Sequence, residues 1–108
     1  MYSYKIEVLR VVDADTIDAR IDLGFRMYTV QRIRLAGVDA WEMRGPEKLK
    51  GRAATRALIA KLQTAGPWTV ATYKTGKFGR WLGTIENAAG ENVNDWLVAA
   101  GHAIRKEY

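Results

Sequence analysis

Carboxylates and an arginine are concentrated in one short stretch of the sequence, residues 34–42. The stretch reads Arg34-Leu35-Ala36-Gly37-Val38-Asp39-Ala40-Trp41-Glu42. Its alternation predicts a strand that carries the arginine, and two carboxylates follow three residues apart as the chain leaves that strand. Paired carboxylates can hold a hard cation, a free carboxylate can accept a proton from water, and arginines can bind phosphate. These are the groups that hydrolysis of a phosphodiester requires.

Two aspartates are candidates for holding a metal ion. Asp15 ends a turn that begins at Asp13, and Asp39 is expected at the end of the long third strand. If the first and third strands are neighbours, both carboxylates point into one concave site. Together with a backbone carbonyl they supply a few of the about six to eight oxygens that calcium takes, so water and substrate phosphate supply the rest. Magnesium and manganese stay open as alternatives, because carboxylate oxygens suit them too.

Three further residues are candidates for the chemistry itself. Glu42 lies close to the expected metal ligands, and a carboxylate there can act as the general base on water. Arg34 is expected on the face of its strand opposite Ile33 and Leu35, and Arg80 follows a glycine in a basic loop. A guanidinium presents paired donors that match phosphoryl oxygens as negative charge builds. Taken singly, each residue fits an ordinary surface or structural role equally well or better.

Basic and aromatic residues beside these candidates predict contacts with nucleic acid. Lys74, Lys77 and Phe78 precede Arg80, and Trp41 precedes Glu42. Phosphate contacts from the cations and base stacking on the rings suit single-stranded or unpaired nucleic acid. Another basic group follows Glu42 and consists of Arg44, Lys48 and Lys50. Solvated surface charge is the alternative explanation for both groups.

The remaining pattern predicts three strands, a helix, two strands and a short helix. The strands are expected at Tyr4 to Val12, Thr16 to Leu23, Phe25 to Val38, Trp68 to Tyr73 and Trp81 to Glu86. Gly24 favours a hairpin between the second and third strands. In the second strand Ile17, Ala19, Ile21 and Leu23 share the apolar face. Five short strands with a helix between the third and fourth predict an α+β, mainly β fold, a five-stranded Greek-key barrel of the oligonucleotide-binding (OB) type.

The first helix is expected to open at Gly45-Pro46-Glu47 and to stop at Gly66-Pro67. Its apolar stripe at helical spacing consists of Leu49, Ala54, Ala57, Leu58 and Leu62. Asn92 or Asn94 is expected to cap the second helix, which ends at Gly101. Residues 102–108 are expected to form a polar tail.

Composition places the chain among ordinary globular proteins, and its basic charge suggests a polyanionic partner, with a plain solvated basic surface as the alternative. The 108 residues fit one domain spanning 1–108, and the net charge of +5 with a pI near 9.7 favours nucleic acid as a partner. The absence of cysteine excludes disulfides and thiol chemistry. No apolar run is long enough to span a membrane, so no membrane partner is expected. The N-terminus has no signal-peptide pattern, which predicts a cytoplasmic location if the chain is full length.

Three separated segments together resemble the staphylococcal nuclease (thermonuclease) family. They are Val11-Val12-Asp13-Ala14-Asp15-Thr16, residues 34–42, and Phe78-Gly79-Arg80. Similarity continues through the strand at 82–85 and the helix after Asn92, so it covers essentially the whole chain in the family's order. The resemblance implies the same five-stranded barrel. It also implies calcium-dependent hydrolysis of DNA and RNA, in which the bond to the 5′ oxygen is cleaved and 3′-phosphate ends remain.

The resemblance also implies a role for individual residues. Asp15 and Asp39 correspond to the calcium carboxylates, and Ala40 to the position that offers a backbone carbonyl. Glu42 corresponds to the proposed general base. The remaining correspondences are Arg34 and Arg80 with the phosphate-binding arginines, and Lys77 and Phe78 with the basic and aromatic pair beside the nucleotide. The implied partners are single- and double-stranded DNA and RNA.

The sequence departs from the family pattern at three places. Ala14 replaces the usual glycine between the two aspartates, and this suits the turn unless that position has a positive φ. Ala40-Trp41 replaces the usual Thr-Pro, so the loop that carries Glu42 loses the stiffness of proline. The chain is also expected to be a short member that lacks the C-terminal helix, which predicts a monomer or a weak homodimer that covers the exposed face.

Two other functions fit the same barrel. One is a noncatalytic OB-fold module that binds nucleic acid or another protein, and the other is a subunit whose role is assembly. Loss of catalysis in such a barrel is expected to remove several of Asp15, Arg34, Asp39, Glu42 and Arg80. Since all five are present in family order, the nuclease is the favoured prediction.

Overall fold

The computed structural model describes residues 2–64, 66–72 and 81–106. The strands are β1 Tyr2–Asp13, β2 Thr16–Gly24, β3 Met27–Leu35, β4 Val38–Ala40, β5 Trp68–Thr72, β6 Trp81–Asn87 and β7 Ala103–Arg105. A 3₁₀ turn at Gly45–Glu47 leads into α1 Lys48–Leu62, and α2 spans Val93–Ala99. Within these residues no helix has both the length and the apolar character that a membrane span requires.

Five of the strands close a barrel in the order β1-β2-β3-β6-β5, which confirms the predicted fold class. The first three form an antiparallel meander, and β5 pairs antiparallel with both β1 and β6. The barrel closes where the last three residues of β3 pair in parallel with β6, with Ile33 opposite Trp81. Arg34 lies in this closing contact, opposite Thr16 of β2 on one side and Leu82 of β6 on the other.

Period-two alternation fills the barrel core as the sequence predicts. Ile17, Ala19 and Ile21 of β2 are buried, and Ile33 of β3 lies opposite Ile17. Leu23 was expected on the same face, but it is about half exposed because β2 and β3 extend past the barrel toward their hairpin. Burial of the inward face fixes the register, since a slip of one residue would turn these side chains outward.

Two predictions about strand arrangement are wrong. β1 and β3 are not neighbours, because β2 lies between them and pairs with both. The third strand also does not continue to Val38. It ends at Leu35, and Gly37 turns the chain with a φ of 75°, a conformation in which glycine carries no steric cost. The next residues form the separate strand β4.

The segment predicted to be a polar tail contains a strand instead. Residues 103–105 form β7, which pairs antiparallel with β4 through Ala40 opposite Ala103. Residues 107 and 108 lie outside the described part of the chain. A three-residue strand has too little pattern to be recognised from its sequence, and its pairing partner is about sixty residues earlier.

The buried face of helix α1 is narrower than the apolar stripe that the sequence predicted. Its buried residues are Gly51, Ala54, Thr55 and Leu58. Leu49 was assigned to the buried stripe but is 80% exposed, because it lies on the opposite side of the helix from Leu58. The opening of the helix at Gly45–Glu47 follows the prediction, with Pro46 in the first turn. The helix ends at Leu62, before the predicted stop at Gly66-Pro67.

Asn94 joins three parts of the fold. Asn92 is the residue that caps α2, through a hydrogen bond from the Asp95 backbone N–H, so Asn94 is left for another role. It is 2% exposed. Its Nδ2 donates to the carbonyls of Ala36 (2.8 Å) and Gly83 (3.1 Å), and its Oδ1 accepts from the N–H of Ile85 (3.2 Å). The amide therefore ties α2 to β6 and to the turn after β3.

We expect Asn94→Ala to lower the free energy of unfolding by about 2–4 kcal/mol. The change leaves buried backbone groups without their partner, and each such group costs about 1–3 kcal/mol. Asn92→Ala is the matched control, because loss of a cap costs only about 1 kcal/mol. Urea unfolding of both variants measures the difference, and equal losses would contradict the role assigned to Asn94.

Candidate active site

The turn between β1 and β2 brings Asp15 to the end of β3. The Asp15 N–H donates to Asp13 Oδ1 (3.1 Å), a short-range bond that holds the turn. The Asp15 carbonyl accepts from the N–H of Leu35 (2.8 Å), and Thr16 lies opposite Arg34 in the β2–β3 register. Although β1 and β3 are not adjacent, β2 begins at the place where β3 ends. Asp15 therefore lies at the predicted site because β2 begins beside the end of β3, and not because β1 and β3 are adjacent.

The carboxylate of Asp15 is almost fully buried and has partners from three directions. Its Oδ2 accepts from the backbone N–H of Ala40 (3.0 Å) and lies 3.4 Å from Arg34 Nη2. Its Oδ1 accepts from the hydroxyl of Thr16 (3.0 Å). The residue is 9% exposed. The contact with Ala40 links the first turn directly to β4, which carries Asp39.

Arg34 is the centre of the cluster. It alternates with Ile33 and Leu35 as predicted, yet it is 8% exposed rather than open to solvent. Its Nη1 donates to the carbonyls of Val38 (2.9 Å) and Leu35 (3.2 Å). The turn after β3 therefore folds back over the guanidinium. The other terminal nitrogen, Nη2, faces the carboxylates of Asp15 and Asp39.

The second nitrogen of Arg34 brings the two predicted metal ligands together. Nη2 lies 3.4 Å from Asp15 Oδ2 and 3.5 Å from Asp39 Oδ1. Asp39 lies in the middle of β4 rather than at the end of β3, and its carboxylate is about two-fifths exposed. Lys106 Nζ lies 3.8 Å from Asp39 Oδ2. This contact was not predicted from the sequence, because Lys106 follows the unpredicted strand β7.

The electrostatics of the cluster favour a bound cation. The pKa of the Asp15 carboxyl is raised from 3.8 to about 6, chiefly by burial and also by the hydrogen bond and the charge of the Asp13 side chain. The Ala40 N–H and the Arg34 charge act in the opposite direction. The net rise means that the negative charge on Asp15 is incompletely compensated by the protein. A cation near this carboxylate would supply the missing compensation.

The donor set fits a hard divalent ion with few protein ligands. Asp15 and Asp39 offer carboxylate oxygens, which such ions prefer. In the residues that the structure describes, no group of three or more Asp, Glu, His or Cys side chains is arranged to hold a metal ion. Water and substrate phosphate would have to complete the coordination of an ion held by these two carboxylates. The carbonyl of Ala40 stays a predicted ligand.

The loop that carries Glu42 is held by contacts on both sides. The Glu42 side chain is exposed, and its N–H donates to Glu47 Oε2 (3.1 Å) in the 3₁₀ turn. Trp41 Nε1 donates to the carbonyl of Gly101 (2.9 Å), and Lys50 Nζ lies 4.9 Å from the centre of the Trp41 ring. The indole thus anchors the loop where the family pattern has proline. The sequence marked Glu47 and Gly101 only as helix boundaries, and it did not predict their contacts with this loop.

Gly51 of α1 sets how closely the helix approaches this loop. A Cβ atom at Gly51 would lie 2.0 Å from the Glu42 carbonyl oxygen, so only glycine fits without movement. This role of Gly51 was not predictable from the sequence, since an isolated glycine within a helix normally weakens the helix.

The other substitution in the family pattern causes no backbone strain. Ala14 is buried, and the described non-glycine residues with positive φ are Phe25 (53°) and Arg26 (61°) in the β2–β3 hairpin. The position of Ala14 therefore does not require glycine. Four predicted site residues, Lys74, Lys77, Phe78 and Arg80, lie outside the described residues.

The structure is thus an OB-type barrel closed by five strands, with two acidic side chains gathered around a buried arginine. Residues 32–108 match the family described as staphylococcal nuclease homologue, and the chain belongs to that family. Asp15 lies before the matched segment, so its place in the candidate site comes from its contacts with Arg34 and Ala40.

The chain is similar to proteins with different descriptions. The succinoglycan biosynthesis protein ExoI of Rhizobium meliloti (strain 1021) is 30% identical over 104 residues, which are 90% of this chain and 50% of that protein. An uncharacterized endonuclease of Escherichia coli O157:H7 is 34% identical over 97 residues, which are 89% of this chain and 57% of that protein. A second uncharacterized endonuclease, from Escherichia coli, has the same identity and coverage. The chain thus spans about half the length of the curated relatives it matches.

We expect Asp15→Asn to stabilise the metal-free protein at pH 8 and not at pH 4. The folded-state pKa of Asp15, about 6, lies above 3.8, so the folded chain binds this proton more tightly than the unfolded chain. Stability is therefore lost as the pH rises from about 4 to about 6, by up to about 3 kcal/mol. Asparagine is neutral throughout and keeps an oxygen for the Ala40 N–H.

Urea unfolding in chelator at both pH values measures the effect. Asp39→Asn is the control, because its half-exposed carboxylate keeps contact with water. An equal effect of Asp15→Asn at pH 4 and pH 8 would show that burial of its charge is not the cause.

We expect Gly51→Ala to destabilise the protein by about 1–3 kcal/mol through overpacking against the Glu42 carbonyl. Helix propensity alone predicts that the free energy of unfolding rises, by about 1 kcal/mol. Thermal unfolding decides between the two, with Ala53→Gly as a control for propensity at an exposed position of the same helix. A Gly51→Ala variant more stable than the parent would refute the close approach.

Proposed function

We propose that the protein is a calcium-dependent nuclease that hydrolyses phosphodiester bonds of DNA and RNA with little sequence specificity and leaves 3′-phosphate ends. The observation that carries the proposal is the contact of Arg34 Nη2 with both Asp15 and Asp39. Family membership and the relatives described as endonucleases support it.

The residues proposed to hold the metal are Asp15, Asp39 and the carbonyl of Ala40. Calcium suits these oxygen ligands, and magnesium or manganese would use the same set. The chemistry that such an ion supplies when bound is compensation of charge at a phosphoryl oxygen. The raised pKa of Asp15 supports this assignment, because a group poorly compensated by the protein gains most from a cation.

Glu42 is proposed to accept the proton from the attacking water. Its side chain is exposed, as a group that meets substrate must be, while its backbone is fixed by Glu47 and by the fit of Gly51. Because the backbone is already fixed, less conformational entropy is lost when the carboxylate binds the attacking water. The loop contacts through Trp41 therefore take the place of proline stiffness.

Arg34 and Arg80 are proposed to bind phosphate. Arg34 keeps its Nη1 on the carbonyls of Val38 and Leu35, while Nη2 exchanges carboxylate oxygens for phosphate oxygens when substrate arrives. The anchored half of the guanidinium fixes the direction of the other half. Arg80, with Lys77 and Phe78 beside it, is proposed to complete the phosphate and nucleotide contacts, and Lys74 and Trp41 to extend them.

Cleavage of labelled single- and double-stranded DNA and of RNA tests the proposal. We expect cleavage in calcium, loss of cleavage in chelator, and 3′-phosphate products by end-group analysis. Parallel reactions in magnesium and manganese identify the ion. Cleavage that persists in chelator would refute the metal assignment. Salt-sensitive binding without cleavage in any ion would favour the noncatalytic module instead.

We expect Glu42→Gln to lower kcat by about 10²–10⁴-fold, the usual contribution of a general base, with little change in binding. The matched control is Glu7→Gln, an exposed carboxylate on β1 that lies 3.6 Å from Arg20. Single-turnover cleavage measures the chemical step for both variants. Full activity in Glu42→Gln would show that another group takes the proton.

A further inference from the structure

Helix α1 carries only one sign of charge. Its sequence KLKGRAATRALIAKL contains five basic residues and no Asp or Glu. Lys48, Arg52 and Arg56 are spaced four residues apart and are exposed, so they lie along one side of the helix. We call these three residues the α1 basic stripe. At 1.5 Å per residue it runs for about 12 Å.

The α1 basic stripe makes no ion pair within the described part of the protein. Lys48, Arg52 and Arg56 form no ion pair with any residue in 2–64, 66–72 or 81–106. The two other cations of the helix differ from them. Lys61 pairs with Glu91, and Lys50 lies over the ring of Trp41.

The placement of these charges works against the helix. A cation in the first turn of a helix opposes the macrodipole, and Lys48 is the first residue of α1. Like charges four residues apart also repel each other. A feature that conflicts with local stability and has no compensating ion pair among the described residues points to a role in binding.

The stripe begins beside the candidate active site. Gly51, between Lys48 and Arg52, packs against the Glu42 carbonyl, and Lys50 reaches Trp41 in the same loop. Arg44, also exposed, lies between that loop and the helix. Basic groups therefore continue from the proposed general base along the surface of α1.

We propose that the α1 basic stripe binds the phosphate backbone of nucleic acid flanking the bond that is cut. This inference rests on the proposed nuclease function, and it adds a distal binding surface to the catalytic cluster. Lysine and arginine at about one helical turn apart neutralise successive phosphates without reading bases, so the contact is independent of sequence. It strengthens binding of long strands more than binding of short ones.

The first test measures binding of fluorescein-labelled dT20 by anisotropy in chelator across salt concentrations. The variant Lys48→Gln/Arg52→Gln/Arg56→Gln is compared with Lys5→Gln/Arg10→Gln/Arg26→Gln, which removes the same charge from exposed positions in β1 and the β2–β3 hairpin. Loss of three phosphate contacts is expected to reduce the slope of log affinity against log salt by about 2. The control is expected to change it much less.

The second test measures kcat and KM on dT20 and on a trinucleotide with calcium. We expect the stripe variant to raise KM for dT20 by roughly tenfold, which lowers the preference for the longer substrate. Its melting temperature is expected to stay equal or rise, because repulsion within α1 is removed. A purely structural role would lower stability and affect both substrates alike.

The outcomes separate this inference from the function on which it rests. Failure to cleave with any ion refutes the nuclease but leaves the salt dependence of binding in chelator as a test of the stripe. Cleavage with equal salt slopes for the stripe variant and the control refutes the stripe. Binding to vesicles of phosphatidylserine and phosphatidylcholine that the stripe variant loses, while it keeps dT20 binding, would assign the surface to membranes and also overturn the inference.

Discussion

The site depends on the burial of one guanidinium. A buried charge without partners is very costly, so Arg34 must be surrounded by acceptors wherever its strand places it. Nη1 is satisfied by the carbonyls of Leu35 and Val38, which requires the chain to fold back directly after β3. That turn starts β4 and so places Asp39. Nη2 is left for the carboxylates of Asp39 and Asp15, and the metal and phosphate roles proposed for the cluster follow from this arrangement.

Charged side chains occupy locally unfavourable positions at two places in the molecule. Asp15 is buried beside Asp13, which raises the pKa of Asp15 to about 6 although Arg34 and the Ala40 N–H act against the rise. Helix α1 carries cations that have no ion-pair partner in the described part of the chain, beginning with Lys48 at its N-terminal end. Natural proteins accept such conflicts mainly where a ligand supplies the missing charge. A cation would relieve the first conflict and a polyanion the second, and a nuclease binds both together.

The loop from Trp41 to Glu47 shows how one structural role can be filled by different residues. Where the family pattern has proline, the Trp41 indole bonds to Gly101, and the Glu42 N–H bonds to Glu47. Gly51 then allows α1 to approach the Glu42 carbonyl. Proline restricts a loop by fixing φ, whereas these contacts restrict it from outside. The backbone of the proposed general base is held in both cases.

The local elements could be predicted from the amino-acid sequence, because their signals come from neighbours in the chain. Alternation around Ile17 and Ile33 predicted strands that the barrel confirms, and Pro46 and Asn92 marked helix starts. The sequence also named Asp15, Arg34 and Asp39, although their contacts could be stated only once the fold was known. Tertiary structure alone decided the β4–β7 pairing, the exposure of Leu49 and the burial of Arg34. These depend on contacts between distant segments, and strand periodicity and helix caps carry no information about which segments meet.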